Sequence, residues 1–399
     1  MKLGNARDCV PMIVLLVALH CVPSVTAQVV VEKTANQIGL AVLPTTGSDT
    51  ARTRELLEIL QADLLRSGWF SIVTTNAASA TVQSRLEGRT LDGWVSGRDK
   101  TQLLAKRYVG DNVRALAHQF ADDIVAAVAK QRGIAQSRVA FISKRSGTTE
   151  LWTMDYDGFN ARQITSDKAL CAHPRWSNDA KRIALTSYRK IYPDVWVLDL
   201  SEMKIRRVAS FPGLNSGASF SPDGRELAMT LSKDGNPELY VVNAIDGSSP
   251  RRLTRTKQEE STPCWSPDGK QIVFSSAQSG TPQLWLMSRE GGAATRLTTT
   301  LGYCTEPDWS PRGDAIAFTA RVGGTFQIFS MDLTTRAARQ LTSLPQDCGG
   351  ATWAADGRHL VFASGYGGAG QLYVLDALTG QTVKLGTNLG DCSEPAWSR

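Results

Sequence analysis

Cys264-Trp265-Ser266-Pro267-Asp268-Gly269 leads into Gln271-Ile272-Val273-Phe274-Ser275, then Leu284-Trp285-Leu286-Met287 and the short Arg296-Leu297-Thr298. The stretch reads as four strands, with a tight turn after the first. Proline presets φ for the first turn position, aspartate tolerates the second, and glycine takes the left-handed conformation that closes the turn. The unit is one of six. An aromatic series runs Trp176, Phe220, Trp265, Trp309, Trp353, Trp397, with gaps of 44, 45, 44, 44 and 44 residues. A second runs Trp152, Trp196, Tyr240, Trp285, Phe329, Tyr373, with gaps of 44, 44, 45, 44 and 44. Both series place their one extra residue between Phe220 and Trp285, so a single insertion explains both. A period near 44 with four strands per unit is that of β-propeller blades, and the aromatics are expected to pack blade against blade.

The ends of the array predict how it closes. The chain enters at Arg138 on a second strand and leaves at Glu394-Pro395-Ala396-Trp397-Ser398 on a first strand. Closure removes the exposed strand edges of an open array, so the last strand is expected to complete the first blade.

Working outward, residues 28–134 lack the period and read as a small N-terminal α/β domain ahead of a six-bladed propeller at 135–399. Gln37 to Pro44 reads as a buried strand. Arg52 to Arg66 reads as an amphipathic helix presenting Leu56, Leu57, Leu60 and Leu64. Further strands are expected at Trp69 to Val73, Ala80 to Leu86 and Gln102 to Val109. A second helix is expected from Asn112 to Lys130, burying Leu116, Phe120, Ile124 and Val128 and ended by Gly133. Residues 1–27 read as a cleaved signal peptide: Lys2 and Arg7 precede an apolar stretch from Val10 to Val22, and Val25-Thr26-Ala27 supplies the small residues of a cleavage site. The apolar stretch is shorter than the roughly 20 residues a membrane span needs. His20 before Cys21 argues against a lipidated cysteine. A periplasmic location is expected.

The net charge of +6 and pI near 8.9 are modest over 399 residues. No run of five or six Lys/Arg marks a nucleic-acid or lipid patch, so no nucleic acid is expected as a partner. There is no Gly-x-Ser-x-Gly elbow, no His-Glu-x-x-His and no phosphate-cradling loop after a strand, so neither catalytic residues nor a cofactor is assigned.

Several stretches resemble the TolB family of the Tol-Pal system, in family order: Asp155-Tyr156-Asp157-Gly158-Phe159-Asn160, Ala209-Ser210-Phe211-Pro212, Phe220-Ser221-Pro222-Asp223-Gly224, Thr305-Glu306-Pro307 and Pro395-Ala396-Trp397-Ser398. The resemblance implies a non-enzymatic periplasmic adaptor that maintains the envelope and aids outer-membrane constriction at division. It implies that a peptidoglycan-associated lipoprotein, Pal-like, binds the loops entering the innermost strands, here Leu214, Asn215, Ser216, Thr305 and Glu306. Glu394 shares the phase of Glu306, each ahead of a proline, and joins this set. It further implies that the first residues of the mature chain, Val29, Val30 and Val31 among them, bind a TolA-like protein or regulate Pal binding. Departures from the family pattern are a shortened front domain, Leu214 at a usually polar position, and the cysteines.

Cys171, Cys304, Cys348 and Cys392 each lie five residues before the aromatic residue of their unit, in four consecutive blades, with Asn215 and Glu260 at the same position of the other two. One reading is a disulfide or soft-metal site at the channel mouth. The other is small residues beside a loop, copied with the repeat; no metal is assigned. A second functional class is an exported propeller hydrolase or lyase using Glu306, Glu394 and His173 around the channel.

Overall fold

The computed structural model describes residues 37–365 and 369–399. The expected signal peptide, Cys21 and the proposed partner-binding residues Val29, Val30 and Val31 lie outside them.

The front region is a five-stranded sheet backed by two helices. Its strands are β1 (Ile38–Val42), β2 (Phe70–Ile72), β3 (Ala80–Glu87), β4 (Thr90–Gly97) and β5 (Gln102–Val109), ordered β2-β1-β3-β4-β5. β1 is parallel to both neighbours, and β3, β4 and β5 form an antiparallel meander. Helix α1 (Thr50–Arg66) starts where the Asp49 carboxylate accepts from the N–H groups of Ala51 and Arg52, and it buries Leu56, Leu60 and Leu64. Helix α2 (Val113–Ile124) is capped by Asn112 and buries Leu116, Phe120 and Ile124.

Two expectations change here. β4 was not anticipated: Thr-Leu-Asp-Gly-Trp-Val-Ser-Gly is poor in β-branched residues and carries two glycines. Gly93 within it lies against the Phe120 ring so closely that any side chain would collide, which gives that glycine a packing reason. The second helix stops being α-helical at Ile124. It widens into a π-turn over Val125–Ala129 and ends on Lys130, not Gly133, with Lys130 left-handed at φ 55°.

Six four-stranded sheets follow. The innermost strands are Cys392–Trp397 in blade 1, Cys171–Trp176 in blade 2, Asn215–Phe220 in blade 3, Glu260–Trp265 in blade 4, Cys304–Trp309 in blade 5 and Cys348–Trp353 in blade 6. Closure is as expected: Cys392–Trp397 pairs antiparallel with Arg138–Ser143, matching Trp397 with Val139 and Cys392 with Ser143. Trp397 and Trp309 are buried, as are Trp152 and Tyr240 of the second series. Each residue of the second series pairs across its sheet with a large apolar residue, Phe274 with Trp285 and Phe318 with Phe329 among them. At about 25 cal/mol per Å² these aromatics supply much of the burial that holds the ring closed.

The helices of the front region face the turn end of the ring. The region's core runs without a break from Leu60, Phe120 and Ile124 into Phe141, Trp152, Met154 and Trp397 of blade 1 and Val361 of blade 6. A buried polar hub crosses the same boundary. The Asp63 carboxylate accepts from His118 Nδ1 and from Tyr156 Oη, both at 2.6 Å. Beside it, Arg114 pairs with Asp157 and, at 3.3 Å, with Asp155. Nearby, the Arg358 guanidinium lies 4.4 Å from the Trp69 ring while pairing with Asp376 at 2.6 Å.

Candidate partner-binding mouth

Because second strands run opposite to the first, the loops that begin the innermost strands and the hairpins joining second to third strands share one end of the channel, away from the front region. The third residue of each innermost strand has positive φ: His173 (52°), Gly217 (62°), Thr262 (49°), Glu306 (53°), Gly350 (65°) and Glu394 (50°). At that residue every innermost strand loses register with its neighbour. This is a β-bulge repeated around the ring, and four of its six members are not glycine. A left-handed non-glycine residue costs about 1–2 kcal/mol, most for β-branched Thr262. Such strain persists where surrounding structure enforces it, and it concentrates at functional sites.

The bulges are tied from blade to blade. The Glu306 carboxylate accepts from Gly350 N–H at 2.8 Å, in the next blade, and from Thr319 Oγ1 at 2.8 Å. Glu394 accepts in the same way from the N–H of His173. Thr186 Oγ1 takes the bond from Gly217 N–H at 3.4 Å. The two carboxylates therefore stand in blades 5 and 1 with blade 6 between them, half-buried and held as acceptors. His173 is exposed, with Nδ1 3.4 Å from Ser216 Oγ. A groove of about 320 Å³ runs between blades 1 and 2, lined by Leu170, Lys144, Asp391, Ser393 and Glu394 among others.

The residues expected at this mouth divide by exposure. Ser216, Thr305, Glu306 and Glu394 reach the rim. Thr305 Oγ1 is 3.3 Å from Ser275 Oγ of the preceding blade. Leu214 is half-buried, its N–H bonded to Ser232 Oγ at 2.7 Å. Asn215 is fully buried: its amide donates to the carbonyls of Pro193, Phe211 and Gly213 and accepts from Phe211 N–H at 2.9 Å, so it fastens the loop from inside. The equivalent cysteines act in the same place. Cys171 Sγ lies 3.8 Å from Ser187 Oγ, Cys348 Sγ 3.6 Å from Ser364 Oγ, and Cys392 Sγ donates to Leu389 O at 3.3 Å. All five described cysteines are buried free thiols. The clasp cysteines sit at the seams between blades: Cys171 Sγ also lies 3.7 Å from Thr165 Oγ1 of blade 1.

A hairpin in blade 2 was missed. Tyr188-Arg189-Lys190-Ile191-Tyr192 stands out from the mouth, with Ile191 83% and Tyr192 71% exposed. Ile191 has φ 78°, an outlier for a β-branched residue, fixed by its N–H bond to Tyr188 O at 2.9 Å. Leu170 adjoins it through the bond from Tyr188 N–H to Leu170 O at 3.0 Å. The signal available in sequence was a turn without the glycine that neighbouring units carry there, Gly147 and Gly235, and with apolar residues at its tip.

Among the described residues, one group has metal-ligand spacing: Asp63, His118 and Asp157, in the buried hub. Arg114 and Arg66 already neutralise Asp157 there. No helix of the described residues is long and apolar enough to cross a membrane.

The chain matches the family model of the TolB beta propeller domain over residues 125–399. It is similar to a Tol-Pal system protein TolB of Geobacter metallireducens, 36% identical over 164 residues, covering 34% of this chain and 38% of that protein. It is also similar to the TolB of Geobacter sulfurreducens, 33% identical over 161 residues, covering 33% of this chain and 37% of that one. The aligned stretches thus span under two fifths of these relatives' length. The crystal structure of TolB from Acinetobacter baumannii superposes with a TM-score of 0.79 at 25% identity, covering 91% of this chain and 96% of that one. With more than half of its length inside the family model, the chain belongs to the TolB β-propeller family.

Proposed function

We propose that this Tol-Pal system protein is a non-catalytic periplasmic adaptor whose propeller mouth grips a Pal-like, peptidoglycan-associated lipoprotein. The observation that carries this reading is the rim of strained bulges, which presents Ser216, Thr305, Glu306 and Glu394 beside the exposed Ile191 hairpin. Apolar anchors surrounded by fixed polar groups are how protein interfaces concentrate binding energy. Glu306 and Glu394 serve that role as held acceptors. Asn215 and Leu214 contribute by shaping the loop. Residues 28–134 would form a separate domain ahead of a propeller at 135–399, with Val29, Val30 and Val31 taking a TolA-like protein once the signal peptide of residues 1–27 is removed. The adaptor would thereby maintain the envelope and aid constriction at division.

The test is capture of a purified Pal-like lipoprotein by residues 28–399, beside Ile191→Asp, Glu306→Lys and a version lacking residues 28–36. Loss of capture in the two mouth variants, with unchanged melting temperature, supports the reading. Unchanged capture in both removes the mouth as the site. A change in capture on truncation assigns the switch to the N-terminal stretch, and no change withdraws that assignment.

A further inference from the structure

The opposite end of the channel, beside the front region, holds a cavity of about 270 Å³. It is lined by five of the six aromatic residues that end the innermost strands, all but Trp309, and by the residue just before each of the six. Those preceding residues form a ring: Ala396, Arg175, Ser219, Cys264, Asp308 and Thr352 in blades 1 to 6.

At three junctions the ring residue accepts a bond from the backbone N–H of the aromatic residue in the next blade. Cys264 Sγ takes Trp309 N–H at 3.3 Å, Asp308 takes Trp353 N–H at 2.8 Å, and Thr352 Oγ1 takes Trp397 N–H at 2.9 Å. At the fourth, Ser219 gives its carbonyl to the Trp265 indole N–H at 3.1 Å. At the fifth, Ala396 likewise gives its carbonyl to the Trp176 indole N–H at 2.9 Å, but it has no side-chain acceptor for the Trp176 backbone N–H, and at the sixth Arg175 carries only donors toward Phe220.

The charge is equally lopsided. Asp308, the one acidic ring member, is already held by Arg399 at 3.2 Å. Arg175 is half-buried and has no carboxylate partner among the described residues. Arg132, exposed, lines the cavity from the front-region side. The field is felt inside the channel: burial and then Asp308 raise the Cys264 thiol to about 12, while Arg399 and Arg175 pull the other way. The sector between blades 1 and 3 thus supplies a cation and N–H donors with no carboxylate among its cavity-lining residues.

We propose that this sector binds a small oxyanion, a carboxylate or phosphate group on a molecule compact enough for the cavity, held by the Arg175 guanidinium and the N–H groups of Trp176 and Phe220. The Trp176 and Phe220 side chains flank it, and Arg132 guards the opening. The site is separate from the mouth, so it stands or falls independently of the adaptor reading.

The test uses the mature chain in chloride buffer, titrated with inorganic phosphate and with succinate at matched ionic strength. Tryptophan fluorescence and melting temperature are the readouts, since a ligand of the folded state alone raises stability with its concentration. A saturable change with phosphate, succinate or both, beyond that in chloride, is expected, and whichever acts identifies the oxyanion group. Arg175→Gln should weaken the response about tenfold or more, as loss of a charge-assisted pair does. Arg225→Gln, exposed beside the neighbouring turn, should leave it unchanged. Ala396→Asp puts a built-in carboxylate where the ring lacks one: it should abolish the response and melt higher than the parent in the chloride buffer without added phosphate or succinate. Absence of any saturable response in the parent overturns the proposal. So does an apparent affinity in both Arg175→Gln and Ala396→Asp that equals that of Arg225→Gln.

Discussion

Around the propeller one structural task recurs six times under different chemistry. The first residue of each innermost strand fastens the loop leading into it, and that residue is cysteine four times, Asn215 once and Glu260 once. Glu260 takes Thr256 Oγ1 at 2.7 Å and Gln278 Nε2 at 3.1 Å, while Asn215 makes four bonds to backbone. At the junction with the front region each task is done once. Asp63 alone receives both His118 and Tyr156, from a second helix and from the propeller. A repeated clasp tolerates exchange because neighbouring blades keep the ring closed. A single buried acceptor has no substitute, so stability at the junction should be concentrated in few residues and in the ring distributed over many.

The largest effect should come from breaking the junction. Asp63→Ala strands the Tyr156 hydroxyl and the His118 ring N–H in a buried interface. Removing one partner of a buried charged network costs about 3–5 kcal/mol. Urea denaturation should show this loss, and a transition for the front region that separates from that of the propeller. A loss below about 1 kcal/mol would mean the apolar core alone seats the two regions, and the contrast with the ring would fail.

Within the ring, the clasp at blade 3 should be the dearest to lose. Asn215→Ala leaves Phe211 N–H and several loop carbonyls to find water, at about 2 kcal/mol. Because this loop carries Leu214 and Ser216, the same variant should also loosen partner capture at the mouth. If its cost is no larger than that of an equivalent cysteine variant, the chemistry at this position is indifferent and only its volume matters.

This division also governs what the sequence could tell. The repeat announced itself because one aromatic every 44 or 45 residues survives exchange of its neighbours. Turn residues and strand alternation then placed each blade and its closure by Cys392–Trp397. The junction has no period. Asp63 lies in a helical pattern as one more polar residue, and His118 is merely a histidine in a helix. Asp155-Tyr156-Asp157-Gly158 was visible as a motif, but its partners are distant in sequence, Arg114 by 41 and 43 residues and Asp63 by 93. At the mouth, the phase shared by Glu306 and Glu394 was legible. That both sit on a left-handed bulge was not, because glycine, threonine, histidine and glutamate all occupy it. The turn-end ring is hidden for a like reason: its members share a place and not a chemistry.

The bulge offers a finer probe of the ring. Gly217 is left-handed at φ 62°, and a Cβ added there would meet nothing closer than Thr262 N at 3.9 Å. Gly217→Ala therefore isolates the conformational cost, about 1–2 kcal/mol, with no collision. The opposite change, Thr262→Gly, should recover part of that amount despite losing the 2.9 Å contact between Thr262 Oγ1 and Ser275 Oγ. If both variants destabilise equally, the mouth is held by side-chain bonds and its bulges carry no strain.

The smallest effect is expected at the cysteine clasps, and it separates a packing role from a reactive one. Burial lifts the Cys304 thiol to about 11, with the Thr298 bond and the Arg296 charge pulling it down. Cys392 is likewise at about 11, raised chiefly by burial. A thiol with so high a pKa is almost wholly protonated at pH 8, and the thiolate is the species that attacks disulfides and binds metal. Cys304→Ala removes one buried sulfur and should cost about 1 kcal/mol or less, with partner capture unchanged. In the parent, a disulfide reagent should modify the thiols only as fast as the chain unfolds, and all five of residues 37–399 should react at once in denaturant. Rapid labelling of Cys304 in the folded protein would show that its blade opens locally. The clasp would then be a weak point of the ring, and the distributed stability inferred from its six-fold repetition would not hold at blade 5.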